Sequence, residues 1–390
     1  MKKIAIVTST RAEFGLLLPV VNELRKYEDN ELKIDLIVTG THLSEEYGYT
    51  IREISEQNIR IDHKIKIPIA SSDALDISKN QAETLLKFAQ LFLTAKYNAI
   101  IILGDRYEML AVAIAAGNTH TPIFHLCGGD TTEGAIDEWI RHSITKMSYL
   151  HFVTNNESYH RVIQLGENPD RVFNYGSTSI DNIINIPLMD KAKALESINM
   201  PECDYAVCTY HPVTMEDRDC KKDMAAFLKV IEKNKEIEFI VTKSNADQGG
   251  NMINSMLDEA SKKIENLHVF SSLGVVRYLS LVMHAMFVLG NSSSGIIEAP
   301  ALKVPTIDIG DRQKGRLKSS SVINCDADQV SIEKAIKLAI SDEFKKQCKN
   351  TVSPYGNGNA SKLIAEKIIE VVKENNIDLK KKFYNIGEEL

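Results

Sequence analysis

Ile4–Thr8, Leu32–Val38, Ala99–Leu103, Pro122–His125 and His151–Thr154 are short apolar runs with no polar face. Stretches of helical period lie among them: Phe14–Tyr27, Gln81–Lys96, Arg106–Gly117, Glu138–Met147 and Asn156–Leu165. Strands that do not alternate, set between amphipathic helices, predict a parallel sheet covered on both faces. That is a doubly wound α/β unit. The rhythm weakens between about Thr178 and Glu202, where Pro187 and Pro201 bracket a polar segment, and then restarts. Tyr205–Thr209, Ile237–Thr242, His268–Ser271, Ala285–Leu289 and Val304–Ile309 read as a second set of strands, with helices such as Met224–Lys233 and Gly274–Met283 between them. A last helix is expected near Ala360–Lys373.

A single core rarely grows past roughly 250–300 residues, so a chain of 390 residues also points to two domains. The expected division is 1–185 for a first Rossmann-like domain, 186–375 for a second, and 376–390 for a polar tail. Two such halves facing a cleft is the expected architecture. The net charge of −7 argues against a nucleic-acid partner, which favours a basic face. The apolar run behind Lys2 and Lys3 ends before Arg11 and Glu13, too short for a signal peptide. No stretch approaches the roughly 18 apolar residues of a membrane helix. A cytoplasmic protein is therefore expected. Cys127, Cys203, Cys208, Cys220, Cys325 and Cys348 form no CxxC pair and have no zinc spacing, so reduced, buried thiols are expected.

Ligands of doubly wound sheets sit outside the carboxyl ends of the strands, so the loops after the strands should carry the chemistry. They read Ser9-Thr10-Arg11-Ala12-Glu13, Gly104-Asp105-Arg106-Tyr107-Glu108, His125-Leu126-Cys127-Gly128-Gly129-Asp130, Tyr210-His211-Pro212, Lys243-Ser244-Asn245, Gly290-Asn291-Ser292-Ser293-Ser294-Gly295 and Gly310-Asp311-Arg312-Gln313. Serines at a helix start present free N–H groups and hydroxyls, an anion site suited to a diphosphate. Glu298, one turn further in, is placed to accept hydrogen bonds from ribose hydroxyls. An ordinary serine N-cap fits the same pattern. The absence of GxGxxG argues against a nicotinamide enzyme. Asp105 suits a general acid or base, and equally a helix N-cap. Asp137 and Arg141, four apart, suit catalysis or a routine ion pair. Pro212 restricts His211 to an extended backbone at the sheet edge, which favours a working over a structural histidine.

Taken in order, these motifs resemble the hydrolysing UDP-N-acetylglucosamine 2-epimerases of bacterial sialic acid synthesis, with the epimerase domain of the animal bifunctional enzyme more distant. The resemblance runs from Thr10-Arg11-Ala12-Glu13, through Gly104–Glu108, Ile140–Lys146, His211-Pro212-Val213-Thr214 and Gly290–Ser293, to Gly310–Arg316. It implies the two-domain glycosyltransferase-B fold, in which the last helix crosses back to the first domain. It implies that Arg11, His211, Asn245, Ser292, Ser293, Glu298 and Arg312 hold the uridine diphosphate. Asp105 and Asp137 would do acid/base work, Arg106 and Arg141 would steady carboxylates or phosphates, and His211 and Arg141 would count with the catalytic set. The family's His-x-Glu-Gly-Gly motif reads His125-Leu126-Cys127-Gly128-Gly129 here, so Cys127 stands in the glutamate's place, and Asp130 or Glu133 is a candidate substitute. The His-Leu-Cys-Gly-Gly form also resembles the legionaminic-acid branch, whose sugars are 6-deoxy with an acetamido group at C4.

The reaction implied is loss of UDP from a UDP-N-acetylglucosamine-type sugar through a glycal, followed by addition of water to give the free 2-epimer. It needs no redox cofactor, and no required metal is expected. The resemblance implies a homo-oligomer, dimer or tetramer. A glycosyltransferase, a non-hydrolysing epimerase and a catalytically inactive nucleotide-sugar sensor are the rival readings. UDP release without an acceptor separates them.

Overall fold

The computed structural model describes residues 1–69, 74–132, 136–213, 220–244 and 249–387. It folds as two compact units. The first comprises Met1–Asp130, Asp137–Asn182 and the chain from Tyr355 onward; the second comprises Thr131–Ile136 and Ile183–Pro354. Among the described residues, no helix is long and apolar enough to cross a membrane.

The first unit holds strands β1 (Lys2–Thr8), β2 (Leu32–Thr39), β3 (His63–Ile65), β4 (Ala99–Leu103), β5 (Ile123–Leu126), β6 (Leu150–Val153) and β7 (Val172–Asn174). They form one parallel sheet in the order β3-β2-β1-β4-β5-β6-β7. Ile4, Ile6, Ile101 and Phe124 are fully buried, as side chains between two helical layers must be. The helix Arg11–Arg25 covers one face through Leu17, Val20, Val21 and Leu24. Thr10 caps it: its hydroxyl accepts from the Glu13 N–H at 3.3 Å, and the Glu13 carboxylate takes the Thr10 N–H in return. This reciprocal cap satisfies two helix-end donors. Replacing Thr10 with Ala is expected to lower stability by about 1 kcal/mol, read as a shift of the denaturant midpoint with an unchanged slope.

The final helix, Ala360–Glu374, belongs to this first unit, with Ile364, Ile368 and Val372 in the same core as Leu17 and Val20. Each such side chain contributes about 1.5–3 kcal/mol of burial. In the stretch beyond it, read from sequence as a polar tail, Lys381 and Phe383 are seated on the unit. Lys381 donates to the carbonyls of Lys146 and Ser148 and pairs with Glu167 at 2.6 Å. Phe383 lies against Gly166, where a Cβ would come within 2.4 Å of the ring.

The second unit holds β8 (Tyr205–Thr209), β9 (Glu238–Thr242), β10 (Leu267–Phe270), β11 (Val288–Gly290), β12 (Thr306–Ile309) and β13 (Val322–Cys325). These run parallel in the order β10-β9-β8-β11-β12-β13. In each unit the order reverses beside the first strand, at β1/β4 and at β8/β11. That reversal is the crevice-forming point of a doubly wound sheet. Gly290 closes β11 with φ +142, and a Cβ there would sit 1.9 Å from the Thr209 carbonyl oxygen. Only glycine lets β8 and β11 approach so closely where they end. None of the six cysteines is in a disulfide; Cys208 and Cys348 are buried as expected, while Cys127, Cys203, Cys220 and Cys325 are only half-buried.

Candidate active site

In the first unit, the loops after β1, β4 and β5 lie side by side because those strands are neighbours. Asp105 follows β4. The helix after it, Tyr107–Asn118, is capped by Arg106 with no side-chain bond, so Asp105 is not the N-cap that its sequence position allowed. Its carboxylate instead pairs with the guanidinium of Arg141, from the helix Asp137–Met147. Arg141 is 1% exposed. It also donates to the Asp130 carbonyl at 2.7 Å and to Glu138 at 3.2 Å. Burial pulls the Arg141 pKa down, and Asp105, then Asp130, more than offset it, so the guanidinium stays charged. Asp137 opens that same helix, half-buried.

His125, at the end of β5, fixes the turn that carries Asp105. One ring nitrogen, Nε2, lies 2.8 Å from the Gly104 carbonyl, which can only accept, so Nε2 carries the proton. Nδ1 then accepts from the Thr145 hydroxyl at 3.1 Å. Burial pushes the imidazole pKa down to about 3, so this histidine holds position without taking up charge.

Cys127 follows, half-buried and in the left-handed region at φ +61, with its N–H on the Phe152 carbonyl. Asp130, one candidate substitute for the missing glutamate, is engaged otherwise. Its Oδ1 accepts from Thr154 at 2.9 Å and Ser158 at 2.6 Å, and the residue is buried, so it ties this loop to β6 and the next helix. Glu133, the other candidate, lies outside the described residues.

Arg11 begins the helix after β1. Burial lowers its pKa, with Glu53 acting against that shift. Arg106 donates to Glu108 at 3.3 Å. Sequence reasoning assigned no role to Glu13 or Glu108, yet both are buried and both contact the Ser9 hydroxyl, which joins the β1 loop to the β4 loop. The Thr-x-x-Glu capping pattern was the available signal for Glu13.

In the second unit, Asn291 organises the loops after β8, β11 and β12. Its amide accepts from the His211 N–H at 2.7 Å and donates to the His211 carbonyl at 2.8 Å. Its own carbonyl accepts from Arg312 at 3.1 Å and Gln313 at 2.8 Å. The His211 ring, 6% exposed as a residue, meets the Ser244 hydroxyl through Nδ1 at 3.1 Å. His211, Ser292, Ser293 and Arg312 are thus brought to one sheet end. Ser293 caps the helix Ser294–Ala301 without a side-chain bond, and the Ser292 hydroxyl accepts from the Ser294 N–H at 3.4 Å. Glu298 lies in the helix's second turn, half-buried. Asn245, and Thr214 of the His-Pro-Val-Thr motif, lie outside the described residues.

The sequence matches the family described as UDP-N-acetylglucosamine 2-epimerase over residues 24–369. The GDP/UDP-N,N'-diacetylbacillosamine 2-epimerase (hydrolyzing) of Campylobacter jejuni is 41% identical over 346 residues, 88% of this chain and 89% of that protein. The polysialic acid biosynthesis protein P7 of Escherichia coli is 36% identical over 389 residues, 100% of this chain and 98% of that protein. The crystal structure of UDP-GlcNAc 2-epimerase from Neisseria meningitidis bound to UDP-GlcNAc superposes with a TM-score of 0.78 at 18% identity, covering 95% of this chain and 100% of that one. That likeness bears on the fold, which is α/β with two parallel sheets, of the glycosyltransferase-B type. With a family match along most of its length and a relative above 40% identity, the chain is an enzyme of the UDP-N-acetylglucosamine 2-epimerase family.

Proposed function

We propose that this enzyme is a hydrolysing 2-epimerase of UDP-2-acetamido sugars, releasing UDP and the free manno-configured sugar. The observation that carries the reading is Asp105, a carboxylate held at the carboxyl end of β4 by a buried, permanently charged Arg141. Fixed geometry beside a cation is what keeps a proton-handling group aimed.

The C2–H of a 2-acetamido sugar is barely acidic until the C1 substituent starts to leave. As the C1–O bond to UDP breaks, positive charge grows at C1. A carboxylate then takes the C2 proton, the C1=C2 bond forms, and UDP carries away the electron pair. Water next adds across the glycal, oxygen to C1 and a proton to C2 on the opposite face, and the acid that supplied the proton is restored by the water. Asp105 and Asp137 form the proposed proton-handling pair. Arg11, Arg106, Asn245, Ser292, Ser293, Glu298 and Arg312 form the proposed binding set, with His211 beside the leaving diphosphate. The serine-rich start of the helix Ser294–Ala301, whose N-cap Ser293 spends no side-chain bond on the helix, supports an anion there. Such preorganised donors are worth about 2.7–4 kcal/mol each when they face developing charge.

A sugar with an acetamido group at C4 and no hydroxyl at C6 is the second reading. It is favoured by Cys127 in place of a glutamate and by the 41% identity to a diacetylbacillosamine enzyme. Proton NMR in deuterated water, with UDP-N-acetylglucosamine in one tube and UDP-2,4-diacetamido-2,4,6-trideoxyglucose in the other, tests both readings. Free manno sugar carrying deuterium at C2 is the expected product, and the faster tube names the sugar. Intact nucleotide sugars in both tubes sink the reading.

A further inference from the structure

Ser9 joins two buried carboxyls. Its hydroxyl oxygen lies 2.9 Å from Glu13 Oε2 and 2.9 Å from Glu108 Oε1. Ser9 is fully buried, Glu13 is 6% exposed and Glu108 2%. A serine hydroxyl has one proton, so it can donate to one carboxyl only. The other contact, between two oxygens at hydrogen-bond distance, requires a proton from the carboxyl itself. Two ionised carboxylates around one hydroxyl, out of water, would leave that contact repulsive. The second oxygen of each carboxyl, Glu13 Oε1 and Glu108 Oε2, is buried without a hydrogen-bond partner among the described residues, which adds to the cost of full ionisation.

From this geometry we infer that Glu13, Ser9 and Glu108 form a one-proton relay whose protonation state positions Arg106, and with it the loop that carries Asp105. With one proton present, the pair bears a single negative charge, and Arg106 balances it through Glu108 at 3.3 Å. When the proton leaves, the second charge pairs with no further cation among the described residues, and Arg106 has to serve both. Like charges push the β1 and β4 loops apart, and Arg106 is drawn further toward the pair.

The surroundings fit this division. Glu13 faces Glu108 and Arg106 from the β4 side, and burial before anything else raises its pKa to about 7. Arg11 is the next cation on its own helix, with Glu53 beyond it. His42, from the turn after β2, is driven down to about 4 by burial and stays neutral while the pair titrates. Tyr107, on the helix that carries Glu108, is pushed up to about 12 and stays protonated. Because the raised group is an acid, the assembled arrangement exists below the transition and is lost as pH rises through it.

Glu13 and Glu108 are positioning residues here, and the consequence for turnover rests on the epimerase reading, so the test has two readouts. Infrared difference spectra of the wild-type protein between about pH 6 and pH 8 should show loss of one protonated-carboxyl stretch, and Glu13→Gln should lack that change. The wild-type band is read without substrate, and the variant serves only to assign it. For turnover, wild-type kcat/KM should fall by about tenfold per pH unit above the transition, and Glu13→Gln, which keeps the helix cap, should lose that limb. Absence of any titrating carboxyl band overturns the relay. A titrating band with the same alkaline limb in wild type and Glu13→Gln overturns its positioning role.

Discussion

Replacing Asp105 with Asn is expected to lower turnover by about 10²–10⁴-fold, the usual range for loss of a positioned proton-transfer group. Asparagine has nearly the same shape, so it leaves the turn fixed by His125 and Gly104 intact. It removes the charge and the basicity, and it weakens the hold on Arg141. Arg141 keeps the Asp130 carbonyl and Glu138, so the variant should fold. Asp105 is not in the proposed binding set for UDP, so UDP affinity should change little while kcat collapses. Release of UDP and deuterium incorporation at C2 would both be measured, together with UDP binding. Activity within about threefold of wild type would remove Asp105 from the chemistry. Loss of UDP binding in step with kcat would reassign it to holding the substrate. Asp137→Asn run alongside separates the two carboxylates: a deficit in deuterium incorporation larger than that in UDP release marks the one that delivers the proton to the glycal.

The architecture was legible because every central strand is an apolar run without alternation, a pattern that only a two-sided parallel sheet accommodates. β3, β7 and β13 were missed for the complementary reason. They have three or four residues, lie at sheet edges or beside them, and are half-exposed along most of their length, so no apolar run marks them. His63-Lys64-Ile65 reads as loop until β2 supplies its hydrogen-bonding partner. The seating of the polar tail leaves no mark in the sequence because its anchors are lysine and aromatic side chains in a charged stretch. Lys381 finds buried Glu167 only in three dimensions.

At the site, loop positions could be read from strand ends, since parallel sheets put ligand-facing residues there. The pairings could not. Asp105 and Arg141 are separated by a helix and a strand, and each had a local explanation, a cap for one and an i,i+4 pair for the other. Asn291 looked like part of an anion loop, yet its side chain clips the backbone of His211, a contact that depends on β8 and β11 being neighbours. Ser9, Glu13 and Glu108 sat inside the recognised motifs without a role, because shared protons belong to geometry and leave no spacing in a sequence.

Arg141 is the side chain on which the first unit's site is hung, and its removal has the largest expected cost to stability. The guanidinium is buried, and it reaches three segments: Asp105 after β4, Asp130 after β5, and Glu138 on its own helix. Arg141→Ala removes the cation, opens a cavity and leaves the Asp130 carbonyl without this donor. Breaking a buried pair by deleting one partner costs about 3–5 kcal/mol. Asp105 and Glu138 retain 26% and 29% side-chain exposure, so water can recover part of their solvation, which favours the lower half of that range. For a unit of this size, each kcal/mol lowers Tm by about 2–4 °C, which predicts a drop on the order of 10 °C by calorimetry. Arg141→Lys separates charge from geometry. An ammonium keeps the positive charge but cannot present the planar fork that reaches Asp105 and the Asp130 carbonyl together. It should recover part of the stability and much less of the turnover, because Asp105 is no longer held in one orientation. Equal recovery of both would mean that charge alone suffices at this position, and a Tm within about 3 °C of wild type for Arg141→Ala would show that the pair does not hold the unit together.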